Sequence, residues 1–224
     1  MTRKGVYAGA LIGLVVATLT TLSALQSSTW ISYDLSAPDL AVYDHIGLST
    51  RCTPSGCVPF PSVKFCSSLT SIPPHNSQAP HHHPSMFCAK WRSAGFLLNL
   101  SLVFHLVAMV AAVFILISSR SSSSSSSNGT RRKKHGWKIL AGLMGLMGVM
   151  EMSAVGIVAE VKDYEQMFQV PGYELGWGWW LGLGGGLMGL LMALAVGVAQ
   201  VMMRSNEGGY QQLVGDEGGD AARV

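Results

Sequence analysis

The sequence has few charged residues. Asp, Glu, Lys and Arg together make up 12% of its 224 residues, whereas apolar residues make up 49%. Soluble domains carry about 25% charged residues, so this composition argues against a water-soluble globule. The sequence also lacks a nucleophile–base constellation, a phosphate-binding loop and a paired-carboxylate arrangement. We therefore expect no enzymatic activity, no catalytic residue, no cofactor, no small-molecule substrate and no nucleic-acid partner.

Long apolar runs are present instead. A bilayer core about 30 Å thick needs about 20 apolar residues in a helix, and four segments meet this length. The predicted fold class is an all-α membrane protein, a bundle of four transmembrane helices with a small disulfide-bonded first loop outside the cytosol. The predicted spans are residues 6–26, 95–117, 138–160 and 176–203. The remaining segments are an N-terminus (1–5), the first outer loop (27–94), a Ser-rich and basic cytosolic loop (118–137), a short second outer loop (161–175) and a disordered cytosolic tail (204–224).

Lysine and arginine positions give the orientation. Ten of the 15 basic residues flank the side that holds both chain ends, and five lie on the other side. The tract Arg131-Arg132-Lys133-Lys134 directly precedes the third span, where the positive-inside bias counts most. Both termini are therefore predicted to be cytosolic. The competing interpretation of the first segment as a cleaved signal peptide would leave three spans, but its apolar run is longer than usual and no clean A-x-A site follows.

Tryptophans lie near the predicted span boundaries. Indole rings are enriched at the headgroup level on both sides of a bilayer. We therefore interpret the boundary tryptophans as an aromatic belt, made of Trp30, Trp91, Trp137, Trp177, Trp179 and Trp180.

All four cysteines, Cys52, Cys57, Cys66 and Cys88, fall in the first loop. Disulfides persist in the secretory lumen and at the cell surface, so their position agrees with the orientation from charge. Four cysteines allow three connectivities. We favour Cys52–Cys57 with Cys66–Cys88, because the first two are near neighbours around a Pro54-Ser55-Gly56 turn signal. Unpaired thiols or a metal site are the alternative.

Small residues recur at four-residue spacing in the first and fourth spans. Such residues let helix backbones approach closely in lipid, where no hydrophobic force joins the helices. Packing inside the bundle is the preferred role, and contact between copies of the chain is the alternative. The assigned helix-packing residues are Gly5, Gly9, Gly13, Gly185, Gly189 and Gly197.

Two ionisable residues lie inside predicted spans, His105 in the second and Glu151 in the third. A carboxylate at mid-bilayer costs about 2.5–3.5 kcal/mol on insertion scales, so Glu151 should face the bundle and find a partner. A hydrogen-bonded packing contact is preferred to a proton- or ligand-linked pair, and direct pairing of the two residues is left open. One histidine with one carboxylate does not predict a haem or metal site. The tract His81-His82-His83, with His75 nearby, is interpreted as flexible loop because a zinc site needs four ligands in fixed geometry.

The first loop carries a recognisable series of residues. Trp30 follows the first span, and later come Gly47, Leu48, Arg51, Cys52 and Cys57. This series resembles the Trp…Gly-Leu-Trp…Cys…Cys signature of the claudin and peripheral-myelin-protein superfamily, and is most similar to its fungal Sur/PalI-type members. The resemblance implies that the first loop forms a small antiparallel sheet on the outer end of the bundle. Runs such as Thr29–Tyr33 and Leu40–Tyr43 would supply strands.

The sequence departs from that family signature in three respects, one of which is the presence of two additional cysteines, Cys66 and Cys88. Ser49 stands where the family has its second tryptophan, and only four residues separate Cys52 from Cys57. We therefore expect this chain to share the architecture of the family but not its role in paracellular sealing.

The resemblance implies a non-enzymatic plasma-membrane protein that reaches the surface by the secretory pathway. Expected roles are the organisation of membrane domains, cell-surface integrity or assistance to a surface signalling complex, with membrane-protein partners or further copies of the chain in the lipid bilayer. The alternative is a transport or channel accessory subunit in which His105 and Glu151 line a polar path. Tyr210-Gln211-Gln212-Leu213 in the tail matches a tyrosine-based sorting pattern, and its use is left open.

Overall fold

The computed structural model describes residues 3–37, 40–70, 85–120, 129–165 and 168–216. Within these ranges the chain forms four long helices and one short helix. Each long helix includes a stretch that is long and apolar enough to cross a membrane: Ala8–Gln26, Met86–Ile117, Lys138–Tyr164 and Trp177–Met202. The helices are α1 (Arg3–Gln26), the short α2 (Val63–Thr70), α3 (Ser85–Arg120), α4 (Gly129–Tyr164) and α5 (Trp177–Asp216).

The long helices pack in a ring. Helix α1 contacts α3 and α5, and helix α4 contacts the same two helices from the other side. The C-terminal halves of α1 and α4 share one hydrophobic core with the N-terminal halves of α3 and α5. The helices therefore alternate in direction around the ring, and the short strands gather at one end of it.

Five short strands form one antiparallel sheet at that end. The strands are β1 (Ile31–Ala37), β2 (Leu40–Ile46), β3 (Thr50–Thr53), β4 (Gly56–Pro59) and β5 (Tyr173–Leu175), in the order β4-β3-β2-β1-β5. The expected small sheet in the first loop is confirmed, with longer strands than the two runs named from the sequence. Strand β5 was not predicted, because three residues are too few to show an alternating pattern. It joins the segment between α4 and α5 to the sheet of the first loop.

The helices extend beyond the predicted span limits. Helix α3 begins at Ser85 instead of 95, α4 runs from Gly129 to Tyr164 instead of 138–160, and α5 continues to Asp216 instead of ending at 203. Helix α5 thus includes residues 204–216 of the segment that the sequence predicts to be disordered. This segment contains no proline, and each added residue extends an already nucleated helix by one hydrogen bond. A 36-residue helix such as α3 is about 54 Å long at 1.5 Å per residue, well beyond a bilayer core of about 30 Å.

Some predictions fall on segments outside the described residues. These are the polyserine run at 121–127 and the histidine-rich segment at 75–83. The basic tract at 131–134 and the sorting pattern at 210–213 lie within helices α4 and α5. The use of the sorting pattern stays a prediction.

The interior divides into two hydrophobic cores. The sheet-proximal core is rich in aromatic side chains and joins the sheet to the helices; its largest members are Trp30, Trp91, Phe60, Phe87 and Phe168. The sheet-distal core is built from small and flexible side chains, chiefly Ala10, Leu14, Ala108, Ala112, Leu140, Met144, Met147 and Val196. Four buried polar residues lie between the helices: Thr21, Ser101, His105 and Glu151.

Candidate functional site

Two tryptophans fasten the sheet to the helices. The Trp30 Nε1–H donates to the carbonyl of Ala24 in α1 at 2.7 Å, and the Trp91 Nε1–H of α3 donates to the carbonyl of Leu48 at 3.2 Å. Both indoles are completely buried, so the prediction that they form part of an aromatic belt is wrong. An indole can be buried deeply once its N–H finds an acceptor. Among the tryptophans whose side chains the structure describes, Trp177 and Trp180 are exposed and still suit a belt; the Trp137 side chain lies outside the described residues.

The Gly47-Leu48 pair forms the tight connection between β2 and β3. A Cβ on Gly47 would lie 2.6 Å from the carbonyl oxygen of Ser27, directly after α1. The Gly47 N–H also donates to the carbonyl of Thr50 at 2.7 Å. The glycine therefore lets this turn approach the end of α1, while Leu48 receives the hydrogen bond from Trp91.

Both disulfides have the preferred pairing, which is confirmed. Cys52 and Cys57 are opposite each other on β3 and β4, and Cys66 on α2 is joined to Cys88 on α3. Free cysteines are absent from the described chain. The first bond fixes the β3–β4 hairpin, and the second fixes α2 beside α3.

A polar network joins the first loop to the segment between α4 and α5. The Arg51 side chain of β3 donates from Nε and Nη2 to the two carboxylate oxygens of Asp44 on β2, at 2.8 and 2.7 Å. The hydroxyl of Tyr173 on β5 donates to Asp44 Oδ2 at 3.0 Å. Arg51 was assigned from the family signature, whereas Asp44 and Tyr173 were missed. No sequence signal links Tyr173 to a strand that lies 129 residues earlier.

The network also shifts the ionisation of its members. The hydrogen bond with Asp44 is the main cause that raises the pKa of Arg51. Burial, followed by the hydrogen bond to Asp44, raises the pKa of Tyr173 to about 12. Arg51 is therefore a permanent cation and Tyr173 a neutral donor at physiological pH.

The sheet has one face on the bundle and one face away from it. Ile31 and Ile46 are opposite each other and completely buried, so they mark the bundle side. Strand residues alternate between faces, which places Asp34, His45 and Glu174 on the other side, where His45 Nε2 lies 3.9 Å from Asp34 Oδ1. Strand β4 forms one edge, and all four of its residues are exposed. We call this outer face together with β4 the outer sheet surface.

A second group of polar side chains is buried at mid-bundle. Oε1 of Glu151 in α4 accepts hydrogen bonds from Thr21 Oγ1 of α1 at 2.7 Å and from Ser101 Oγ of α3 at 3.1 Å. Nδ1 of His105 donates to the Ser101 carbonyl at 3.0 Å and lies 3.6 Å from Glu151 Oε1. The two side chains, whose direct pairing the sequence leaves open, are therefore in contact. Both residues lie near the middle of the observed apolar stretches, of which Met86–Ile117 begins before the predicted span and Lys138–Tyr164 ends after it.

The hydroxyls in this cluster have two possible acceptors each. Thr21 Oγ1 lies 2.9 Å from the carbonyl of Ala17, and Ser101 Oγ lies 2.9 Å from the carbonyl of Leu98. A hydroxyl has one proton to donate. An ionised Glu151 can accept both protons at Oε1, whereas a protonated Glu151 can donate to one hydroxyl, which then donates to its own helix. The cluster therefore suits both protonation states without moving a heavy atom.

Three of the six assigned glycines pack inside the bundle. A Cβ on Gly185 of α5 would lie 2.8 Å from Glu151 Oε2, so the glycine makes room for the carboxyl group. A Cβ on Gly189 would lie 3.3 Å from the Cα of Gly148, so the backbones of α5 and α4 lie close together here. Gly13 of α1 lies against the side chain of Met192.

The other three assigned glycines show no close packing inside the bundle. A Cβ added at Gly9 or at Gly197 would have no neighbouring atom within 4 Å, and Gly5 is exposed. The buried face of α1 is instead formed by Ala10, Leu14 and Ala17. Gly5 and Gly9 therefore lie next to this buried face and not on it. Contact between copies of the chain stays a prediction for these positions.

Comparison of the chain with protein-family models and with curated proteins finds no match in either case. We therefore infer function from the outer sheet surface and from the buried polar cluster.

Proposed function

We propose that this chain is a claudin-like, non-enzymatic integral membrane protein of the plasma membrane, with four spans and both termini in the cytosol. Its outer sheet surface recognises membrane-protein partners and so organises a membrane domain or a surface complex. The supporting observation is a small sheet that packs through a buried aromatic core on four long apolar helices, with one disulfide in the β3–β4 hairpin and a second between α2 and α3.

The side-chain distribution along the helices supports insertion into lipid. Large apolar side chains are exposed on every long helix, among them Ile12, Phe96, Phe114, Val149 and Leu194. Soluble monomers rarely expose large contiguous apolar patches. Lipid would cover these residues, while the buried polar groups face one another inside the bundle.

The rigidity of the sheet supports a role in recognition. A preformed surface loses less conformational entropy on binding than a flexible loop. The outer sheet surface carries the carboxylates of Asp34 and Glu174, the imidazole of His45 and, on the β4 edge, the exposed Val58. Its polar side chains suit contact with water, and its hydrogen-bonded strands suit the recognition of a specific partner.

The orientation can be tested by glycosylation. Ser68→Asn creates the acceptor Asn-Leu-Thr with Thr70 in the first loop, whereas the natural sequon at 128–130 lies in the proposed cytosolic loop. We expect a glycosidase to increase the gel mobility of the Ser68→Asn variant and to leave the natural protein unchanged. A shift of the natural protein, or none for the variant, would contradict the orientation.

Partner recognition can be tested by site-specific photocrosslinking in native membranes. A crosslinking amino acid at Val58 should capture a defined protein, and the same amino acid at the exposed Leu194 of α5 serves as the control for lipid-facing contacts. Capture of the same proteins from both positions would argue against recognition by the outer sheet surface.

The alternative role as a transport accessory subunit has one observation in its favour. Among the described residues, Glu151 Oε2 and His105 Nε2 are buried without a hydrogen-bond partner. Glu151→Gln separates the two roles, because a packing role leaves abundance, localisation and ion flux nearly normal. Loss of flux or of a pH response would favour transport.

A further inference from the structure

A small cavity lies beside His105 in the sheet-distal half of the bundle. Its volume is about 10 Å³, which is room for about one water molecule or a single ion. All four long helices contribute to its wall, and three of the side chains that line it end in thioethers: Met144 and Met147 from α4 and Met192 from α5.

One imidazole nitrogen of His105 makes a hydrogen bond, and the other has no hydrogen-bond partner among the described residues. Nδ1–H donates to the Ser101 carbonyl at 3.0 Å, which leaves the lone pair on Nε2. Nε2 is buried and has no partner among the described residues. A histidine that binds a metal through one nitrogen usually donates its other N–H to a backbone carbonyl or a carboxylate. The Ser101 carbonyl, with Glu151 Oε1 at 3.6 Å, supplies that arrangement.

Water is a poor occupant of this cavity. A buried water molecule makes about three hydrogen bonds, but thioether sulfur is a weak acceptor with no proton to donate. His105 is the one strongly polar side chain in the wall. A soft metal ion suits the wall better, because thioether ligands select Cu(I) and imidazole also binds copper.

The charge balance favours a monovalent ion. Glu151 is completely buried, and His105, whose Nδ1 lies 3.6 Å from Glu151 Oε1, also lines the cavity. A carboxylate and a Cu(I) ion together carry no net charge, which lowers the cost of placing either one in an apolar interior. The other buried polar side chains that face this pair, Thr21 and Ser101, are uncharged.

We propose that His105 Nε2 and the thioethers of Met144, Met147 and Met192 bind one soft monovalent metal ion, Cu(I), with Glu151 as the charge-balancing residue. Sequence reasoning missed this site because it counted histidine and carboxylate ligands. Gly13 belongs to the site as well, since a side chain there would displace Met192.

The test uses the purified full-length protein in detergent micelles and Ag⁺, a redox-stable substitute for Cu(I). Every protein carries glutamine in place of His75, His81, His82 and His83, so that these four histidines do not contribute. We expect one Ag⁺ per chain in a calorimetric titration. X-ray absorption at the silver edge should show both sulfur and nitrogen neighbours.

Near-isosteric variants separate the site from general thioether binding. Replacing Met144, Met147 and Met192 together by Leu should abolish saturable binding and remove the sulfur signal. The matched control replaces the exposed Met86, Met188 and Met202 by Leu and should bind as the parent does. Glu151→Gln should weaken binding on the order of 10- to 100-fold, as for other groups that support a metal ligand.

Three results would overturn the proposal: no stoichiometric Ag⁺ binding by the parent protein, unchanged binding by the triple cavity variant, or equal loss in the control triple variant. Should the triple cavity variant not fold, the single Met192→Leu change replaces it. This variant must then weaken binding while Met188→Leu does not.

Discussion

The two cores of this protein are built by different means. In the sheet-proximal core, Trp91 contacts the rings of Phe60 and Phe87, with centroids 5.7 Å away in both cases. Indole hydrogen bonds and the two disulfides fix their positions. In the sheet-distal core, alanine, leucine and methionine side chains fill the space, and helices α4 and α5 touch through Gly148 and Gly189.

This difference indicates a division of roles. Aromatic packing with fixed hydrogen bonds holds one geometry, which suits a surface that must be recognised. Methionine is flexible and polarisable and fills irregular spaces, which suits a core that also encloses a cavity. The polar cluster around Glu151 lies where the two cores meet.

The largest loss of stability is expected from Trp91→Ala in the sheet-proximal core. Loss of a buried indole and of its hydrogen bond to Leu48 should lower the free energy of unfolding by about 3–5 kcal/mol. Thermal unfolding in detergent, followed by near-UV circular dichroism, measures the change. Trp180→Ala is the control, since this indole is exposed. A similar loss in both variants would refute the importance of the aromatic core.

The two disulfides should contribute unequally. The Cys66–Cys88 bond spans 22 residues and the Cys52–Cys57 bond spans 5. In the chain-entropy model their removal by paired Cys→Ser changes costs about 3 and about 2 kcal/mol. Denaturant titration of each double variant provides the comparison. A larger loss from the shorter loop would show that the hairpin disulfide does more than restrict the unfolded chain.

The boundary between the two cores can be tested at Gly185. Gly185→Ala places a methyl group against Glu151 and Thr21 and should cost about 1–3 kcal/mol. Gly197→Ala, on the same helix but in open space, should be neutral or stabilising by about 0.5–1 kcal/mol. Unfolding temperatures of the two variants give the result. Equal effects would mean that the polar cluster tolerates the added volume.

The smallest change in stability is expected from loss of the hydrogen bond between Tyr173 and Asp44. Tyr173→Phe should cost about 1 kcal/mol. Because the pKa of Tyr173 is raised from 10.0 to about 12, its contribution is complete below pH 10 and is lost as the pH rises toward 12. Stability of the natural protein should therefore fall across this range more than that of the variant. Parallel alkaline profiles would contradict this assignment.

Much of the helical architecture follows from the sequence, because long uncharged apolar runs have few stable alternatives to a helix. Local spacing likewise favoured the Cys52–Cys57 bond, since two cysteines around a turn signal meet when the hairpin forms. Helix ends were less predictable. Nothing in the sequence stops α3 at the bilayer surface, and packing of Phe87 and Trp91 under the sheet continues the helix to Ser85.

Tertiary structure decided which polar groups meet. Thr21, Ser101 and Glu151 come from three helices, and their contact depends on helix rotation, which hydrophobicity alone does not specify. The same rotation places Gly185 against the carboxyl group and leaves Gly9 facing outward. The sequence alone indicated the disulfide-bonded loop and the apolar helices. Only the folded chain combined β5 with that loop, joined Tyr173 to Asp44, and gathered three methionines around His105, because each of these contacts joins residues far apart in the chain.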